Sequence, residues 1–370
     1  MPVRIYTRKV QSASAAEIYI TAVPKDCPAS QGDIAELFAG IVKILNKEQA
    51  SILQERVFII EGAQEKISAA RQKAYGRTDD GVAPSFLISK EGGCGAISGV
   101  QVHAVAGVKK PEVVTAGGKA CGRIIKTPKC SYVTLSAISG DKSSQRAEQA
   151  REMLEKAEKA LKQLGGGFSC VPRTWMWLGD ILSWYGEFNK VRNQFFTELG
   201  LIGKGSRQSM PASTGIGLSL TRDGQFGMDL TAVLEPAGTI EFLSAGGKQQ
   251  CALNYGSAFS RASRAASPAG ETVFVSGTAS IDTLGATTHI GDAKGQIEAT
   301  IENVRAILKD MNCSDRDVVQ VIAYSKTQEV EDAFVEFKKR LDWPWIMAIC
   351  DICRDDLLFE IEATAIRGAR

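Results

Sequence analysis

Histidine is almost absent from this chain: His103 and His289 are the two in 370 residues. That scarcity excludes a Ser-His-Asp triad and a histidine-rich metal centre, and neither residue sits in a recognisable catalytic motif. His103 falls in an alternating strand pattern and reads as a structural residue, and His289 as a loop residue. No apolar run approaches the roughly 18 residues of a membrane span. Residues 1–14 lack the apolar core of a signal peptide, so the expectation is a soluble cytoplasmic protein with no membrane partner. An excess of charge of one sign is lacking too. The 44 Lys and Arg against 42 Asp and Glu give a formal charge of +2, with both signs interleaved, and nucleic acid is not an expected partner. Although there are 36 glycines, no G-x-G-x-x-G joins a strand to a helix, and Gly165, Gly166 and Gly167 read as a helix end and turn. The nine cysteines are odd in number and scattered, which argues for reduced thiols. Cys350 and Cys353 form a single C-x-x-C with no second pair at finger spacing, so neither metal nor cofactor is expected.

What is present is one pattern written three times. Residues 1–116, 117–248 and 249–370 each read as strand, strand, helix, strand, helix, strand, strand. In the first unit a hairpin of residues 3–9 and 17–23 precedes a helix over 34–50, with Leu37, Ile41, Ile44 and Leu45 on one face. A strand (56–60), a helix (65–75) and strands 84–89 and 99–105 complete it. Helices over 146–164 and 185–199 mark the second unit, and 296–311 and 330–340 the third. Copies of this length can each hold a core, so the fold class is α/β (α+β) with three tandem units. Three copies in one chain read as a covalent homotrimer, a pseudo-trimer with sites between units. The chain would act as a monomer or assemble further.

The units differ where chemistry would sit. The last strand of the third reads Leu357 to Ala365, with Glu360 and Glu362 on one face. At the corresponding place the sequence sets Gln101 and His103 in the first unit and Met228, Asp229 and Leu230 in the second, so paired carboxylates mark one cleft of three. Apolar neighbours Leu357, Leu358, Phe359 and Ile361 bury that strand on at least one side, where a carboxylate needs a partner or a raised pKa. Arg354 and a group of arginines in the second unit are candidate partners. That unit also concentrates Trp175, Trp177 and Trp184, and a small-residue segment, Met210-Pro-Ala-Ser-Thr-Gly-Ile-Gly217, which would let backbone approach a ligand closely.

The third unit, with Val275-Ser-Gly-Thr-Ala-Ser280, Gln296, Asn303 and Phe359-Glu-Ile-Glu-Ala363, resembles the YjgF/Rid family. The resemblance implies homotrimer-like packing, a chorismate-mutase-like unit fold and inter-unit clefts that bind small carboxylates. Units two and three together resemble the chorismatases, on Arg173-Thr-Trp175, Tyr185 with Phe188 and Arg192, Met210 to Gly217, Phe259 with Arg261, and Asp351 to Glu362. This implies cleavage of chorismate to pyruvate and a ring product, with Glu360 as general acid and Cys353 as a residue that sorts products. Cysteine at that place resembles the subtype forming 3-hydroxybenzoate. Substrate binding is then expected from Arg173, Tyr185, Arg192, Thr214, Gly215, Arg261 and Arg354, since guanidinium forks match carboxylates. Two departures stand out: Trp177 takes the place of an expected tyrosine, and the first unit is more complete than in chorismatases. A Rid-like imine deaminase or a non-catalytic small-carboxylate binder is the alternative.

Overall fold

The computed structural model describes residues 2–25, 27–89, 95–142, 144–203, 209–221 and 226–369. The first unit runs β1 (Val3–Gln11), β2 (Ala16–Pro24), α1 (Gln31–Glu48), β3 (Ser51–Ile60), α2 (Gln64–Tyr75), β4 (Ser85–Ser89) and β5 (Ile97–Ala106). The second has β6 (Glu112–Ala116), β7 (Lys119–Lys126), β8 (Ser131–Ile138), α3 (Arg146–Gln163), β9 (Arg173–Trp177), α4 (Ile181–Glu198), β10 (Ala212–Ile216) and β11 (Gly227–Glu235). The third has β12 (Glu241–Leu243), β13 (Ala262–Ala266), β14 (Glu271–Ala279), α5 (Ala293–Asp310), β15 (Val318–Ser325), α6 (Gln328–Lys338), β16 (Trp345–Ile349) and β17 (Phe359–Ile366). Three sheets result, ordered β1-β2-β5-β3-β4, β10-β9-β11-β8-β7-β6 and β12-β13-β14-β17-β15-β16. Strand pairing places β6 with the second sheet and β12 with the third, so the divisions fall a few residues earlier than the sequence units.

Each unit buries its helices on one face of its sheet. In α1, Ser30 and Asp33 form a reciprocal cap, and Ile34, Leu37, Phe38, Ile41 and Leu45 face the sheet while Ile44 stays half-exposed. The other sheet faces meet one another. Phe58 and Leu87, Trp177 and Ile216, and Tyr324 and Ala348, two residues from each unit, share one apolar cluster, and a second joins Leu53 and Val105 to Tyr132, Val233 and Ala265. Polar contacts run round the ring as well. Arg56 pairs with Asp229 at 2.9 Å between the first and second units, and Arg173 with Glu362 at 2.9 Å between the second and third. Gln320 donates to the Val102 carbonyl at 3.1 Å and Gln101 to the Val321 carbonyl at 3.0 Å, joining the third to the first. A closed pseudo-threefold arrangement is therefore built from sheets inside and helices outside.

Two expectations are corrected. The register opposes Phe58 to Gly99, Trp177 to Gly227 and Tyr324 to Glu360, so the counterparts of Glu360 are glycines and those of Glu362 are Gln101 and Asp229. The cysteines are not all reduced: Cys27 is disulfide-bonded, while Cys121, Cys130, Cys170, Cys251, Cys313, Cys350 and Cys353 are free. His103 is structural as read, bonded to Glu17 at 2.8 Å and stacked on Tyr19. Among the described residues no helix is long and apolar enough to cross a membrane.

Candidate active site

A cavity of about 220 Å³ lies between the second and third units. Helix α4 contributes Tyr185, Asn189 and Arg192, spaced four and three apart and so on one helical face. Strand β10 contributes Ser213 and Gly215, alternate residues of one side, while Thr214 points the other way. From the third unit the stretch before β13 supplies Tyr255, Ser257, Phe259 and Arg261, again every second residue. Gly277 and Ala279 come from β14, Cys353 and Arg354 from the β16–β17 connection, and Glu360 from β17.

The sequence pattern predicts a strand over 256–262, but pairing in β13 starts at Ala262 because the preceding residues leave the sheet to wall the cavity. Of the expected residues, Glu360, Cys353, Tyr185, Arg192, Gly215, Arg261 and Arg354 all line it. Arg173 and Thr214 do not. They stand behind the wall, where Arg173 Nη2 donates to Thr214 Oγ1 at 2.6 Å and to Glu362 at 2.9 Å, and Thr214 Oγ1 also accepts from the Gly277 amide. Glu362 accepts a further bond, from Trp175 Nε1 at 2.6 Å. Of the two strand carboxylates, one is consumed in structure and one is left for chemistry.

Glu360 is that second group. It is 5% exposed, and among the described residues no protein donor bonds its carboxyl. Burial, then the neighbouring charge of Glu362, pushes its pKa up to about 8, against the pull of Arg173, Arg261 and Arg354. Three guanidiniums surround it without forming an ion pair to any described carboxylate. Arg192 bonds Asn189 Oδ1 at 2.6 Å, Arg261 bonds the Gln250 carbonyl and Tyr255 hydroxyl, and Arg354 bonds the Gly285 carbonyl. Arg192 and Arg261 both lie against the Phe259 ring, and Arg261 and Arg354 against Tyr255, so aromatic faces hold the cations apart from one another.

Burial, reinforced by Glu360, pushes the Cys353 thiol up to about 12, and Cys350 also rises. At neutral pH both are thiols, which suits neither metal binding nor nucleophilic attack. Among the described residues no cluster of three His, Cys, Asp or Glu could hold a metal. Tyr255, Ser257, Asn189, Ser213, Gly277, Ala279 and Ile281 escaped the sequence reading; the alternation of 255, 257, 259 and 261 was the signal available for part of that set.

The endoribonuclease L-PSP family matches residues 253–367. A crystal structure of a chorismatase superposes on 98% of this chain and 99% of its own, at 18% identity and a TM-score of 0.63. The whole chain has the chorismatase fold. A 3-hydroxybenzoate synthase from Streptomyces hygroscopicus is 29% identical, covering 54% of this chain and 64% of that protein, so the match spans less than two thirds of the relative. On a chorismatase fold the cavity described above opens at one of three pseudo-equivalent clefts, and in the other two the counterpart of Glu360 is glycine. Those glycines sit where a side chain would clash: a Cβ at Gly99 would meet the Ala22 carbonyl at 2.8 Å, and one at Gly227 would meet Leu220.

Proposed function

We propose that this chain cleaves the enolpyruvyl ether of chorismate, releasing pyruvate and a hydroxybenzoate. The observation that carries the reading is Glu360: a buried carboxyl with a pKa of about 8, facing a cavity whose other charges are unpaired arginines. Chorismate is a dicarboxylate, and Arg192, Arg261 and Arg354 offer forked donors for it at cavity walls from both units. Glu360, protonated near neutral pH, gives its proton to the methylene carbon of the enol ether. The double-bond electrons form the new C–H bond, leaving an oxocarbenium at the ether carbon. Water adds there, and the hemiketal collapses to pyruvate and the ring alcohol. When the ring then loses one water it becomes aromatic, so chorismate to pyruvate plus 3-hydroxybenzoate consumes no net water and no oxidant.

Cys353 is placed to bias the last stage. As a neutral thiol on the cavity wall it contacts the ring region without supplying a charge. A relative named for 3-hydroxybenzoate supports that ring product. The test is incubation of purified protein with chorismate, following pyruvate enzymatically and the ring product by mass. Chorismate left intact while 2-iminopropionate is hydrolysed would overturn the proposal in favour of a Rid-like deaminase.

A further inference from the structure

One step round the ring, the cleft between the third and first units is built from the same elements as the active-site candidate. There α6 stands in the place of α4, β16 in that of β10, the β1–β2 hairpin in that of β13–β14, and β5 in that of β17. A second cavity, about 650 Å³ in volume, opens between them. Its chemistry differs. The strand position of Glu360 is Gly99, where an added Cβ would come within 3.1 Å of Ile346 Cδ1 across the interface, so no acid can project into it.

The wall is formed instead by Trp343, Trp345 and Met347, with Lys338, Lys25 and Arg4 around it. The two indoles pack at 5.1 Å and are 1% and 6% exposed, and neither Nε1–H finds an acceptor in the protein. Unpaired buried N–H groups are destabilising, and two side by side mark a place where an acceptor belongs. Half-buried Lys338 reaches only the Met347 thioether, at 3.3 Å. Of the acids lining the cleft, Asp342 is held by Arg8 at 3.0 Å, burial pushes Glu331 towards its neutral form, and Asp332 is exposed. A metal cation would face those amines, and a purely apolar ligand would leave both indoles unpaired.

We propose that this cleft binds a small carboxylate anion and does not transform it, the anion accepting hydrogen bonds from Trp343, Trp345 and Lys338. Binding is independent of the chemistry assigned to Glu360, and the readout is local. With the full chain labelled at indole nitrogen, each signal is assigned by single Trp→Phe replacement and benzoate is titrated in. The Trp343 and Trp345 signals should move saturably, with a dissociation constant at or below about 1 mM. Lys338→Met should weaken this at least about tenfold, the loss of one charge-assisted bond, whereas Arg192→Ala, in the other cavity, should leave it unchanged. Trp345→Phe, which keeps the ring and removes one donor, should also weaken it and stands as the second variant if Lys338→Met does not fold. Signals that stay still at ten times that concentration, that respond equally to neutral benzamide, or that keep their affinity in both variants would overturn the proposal.

Discussion

Glu360 sits among three guanidiniums that favour its ionised form, yet holds its proton to about pH 8 because it has lost its water and faces Glu362. Pyruvate release should accordingly fall about tenfold per pH unit above pH 8, a limb that kcat/KM measurements will show. Stability carries the same signature. Between pH 4.5 and about 8 the folded chain holds a proton that the unfolded chain has released, so stability falls as pH rises through that window, and Glu360→Gln should flatten the slope in urea titrations. The same variant keeps shape but delivers no proton to carbon, and should lose at least about 10²-fold in activity with an unchanged circular dichroism spectrum. Cys353→Ala should leave pyruvate release measurable and move the ring product from 3-hydroxybenzoate towards the non-aromatic diol, as mass analysis will show.

Elements decide where these side chains stand. Gly277 at the end of β14 leaves the space that the Glu360 carboxyl occupies, and a Cβ there would collide with Glu360 Oε1. Gly277→Ala should therefore cost most of the activity while the thermal midpoint moves by only a few degrees, the effect of about 1 kcal/mol or less in a chain this long. Helices and strands were legible because apolar residues recur at helical or alternate spacing, as in α1 and β17. The strand equivalences were less so: glycine carries no pattern, and Gly99 and Gly227 became visible as partners of Glu360 only through pairing with Phe58 and Trp177. Residues 255–261 alternate like a strand but wall a cavity, since alternation reports only that one side is covered, not by what. Arg173 was assigned to substrate because an arginine in a recognisable motif looks the same whether its partner is a ligand or, as here, Glu362.

At the scale of the molecule, the units share cores that none completes alone. Clusters joining Phe58, Trp177 and Tyr324, and Leu53, Tyr132 and Ala265, belong to all three. Unfolding should then be one cooperative transition, with tryptophan fluorescence and far-ultraviolet circular dichroism coincident in urea; separated transitions would show independent units. Arg173→Leu should cost about 3–5 kcal/mol in the same assay, because Glu362 would remain buried without its cation. The placement of Glu360 in one unit, facing its neighbour across a ring of three, has a consequence for how this protein can change. In a trimer of identical chains every substitution is made three times, so a residue that improves a cleft must also suit both of the others. Here each cleft has its own residues, and a mutation is local: the three positions of one architecture can drift apart, one towards acid chemistry, one towards holding the ring closed through Arg56 and Asp229, and one towards indole and lysine.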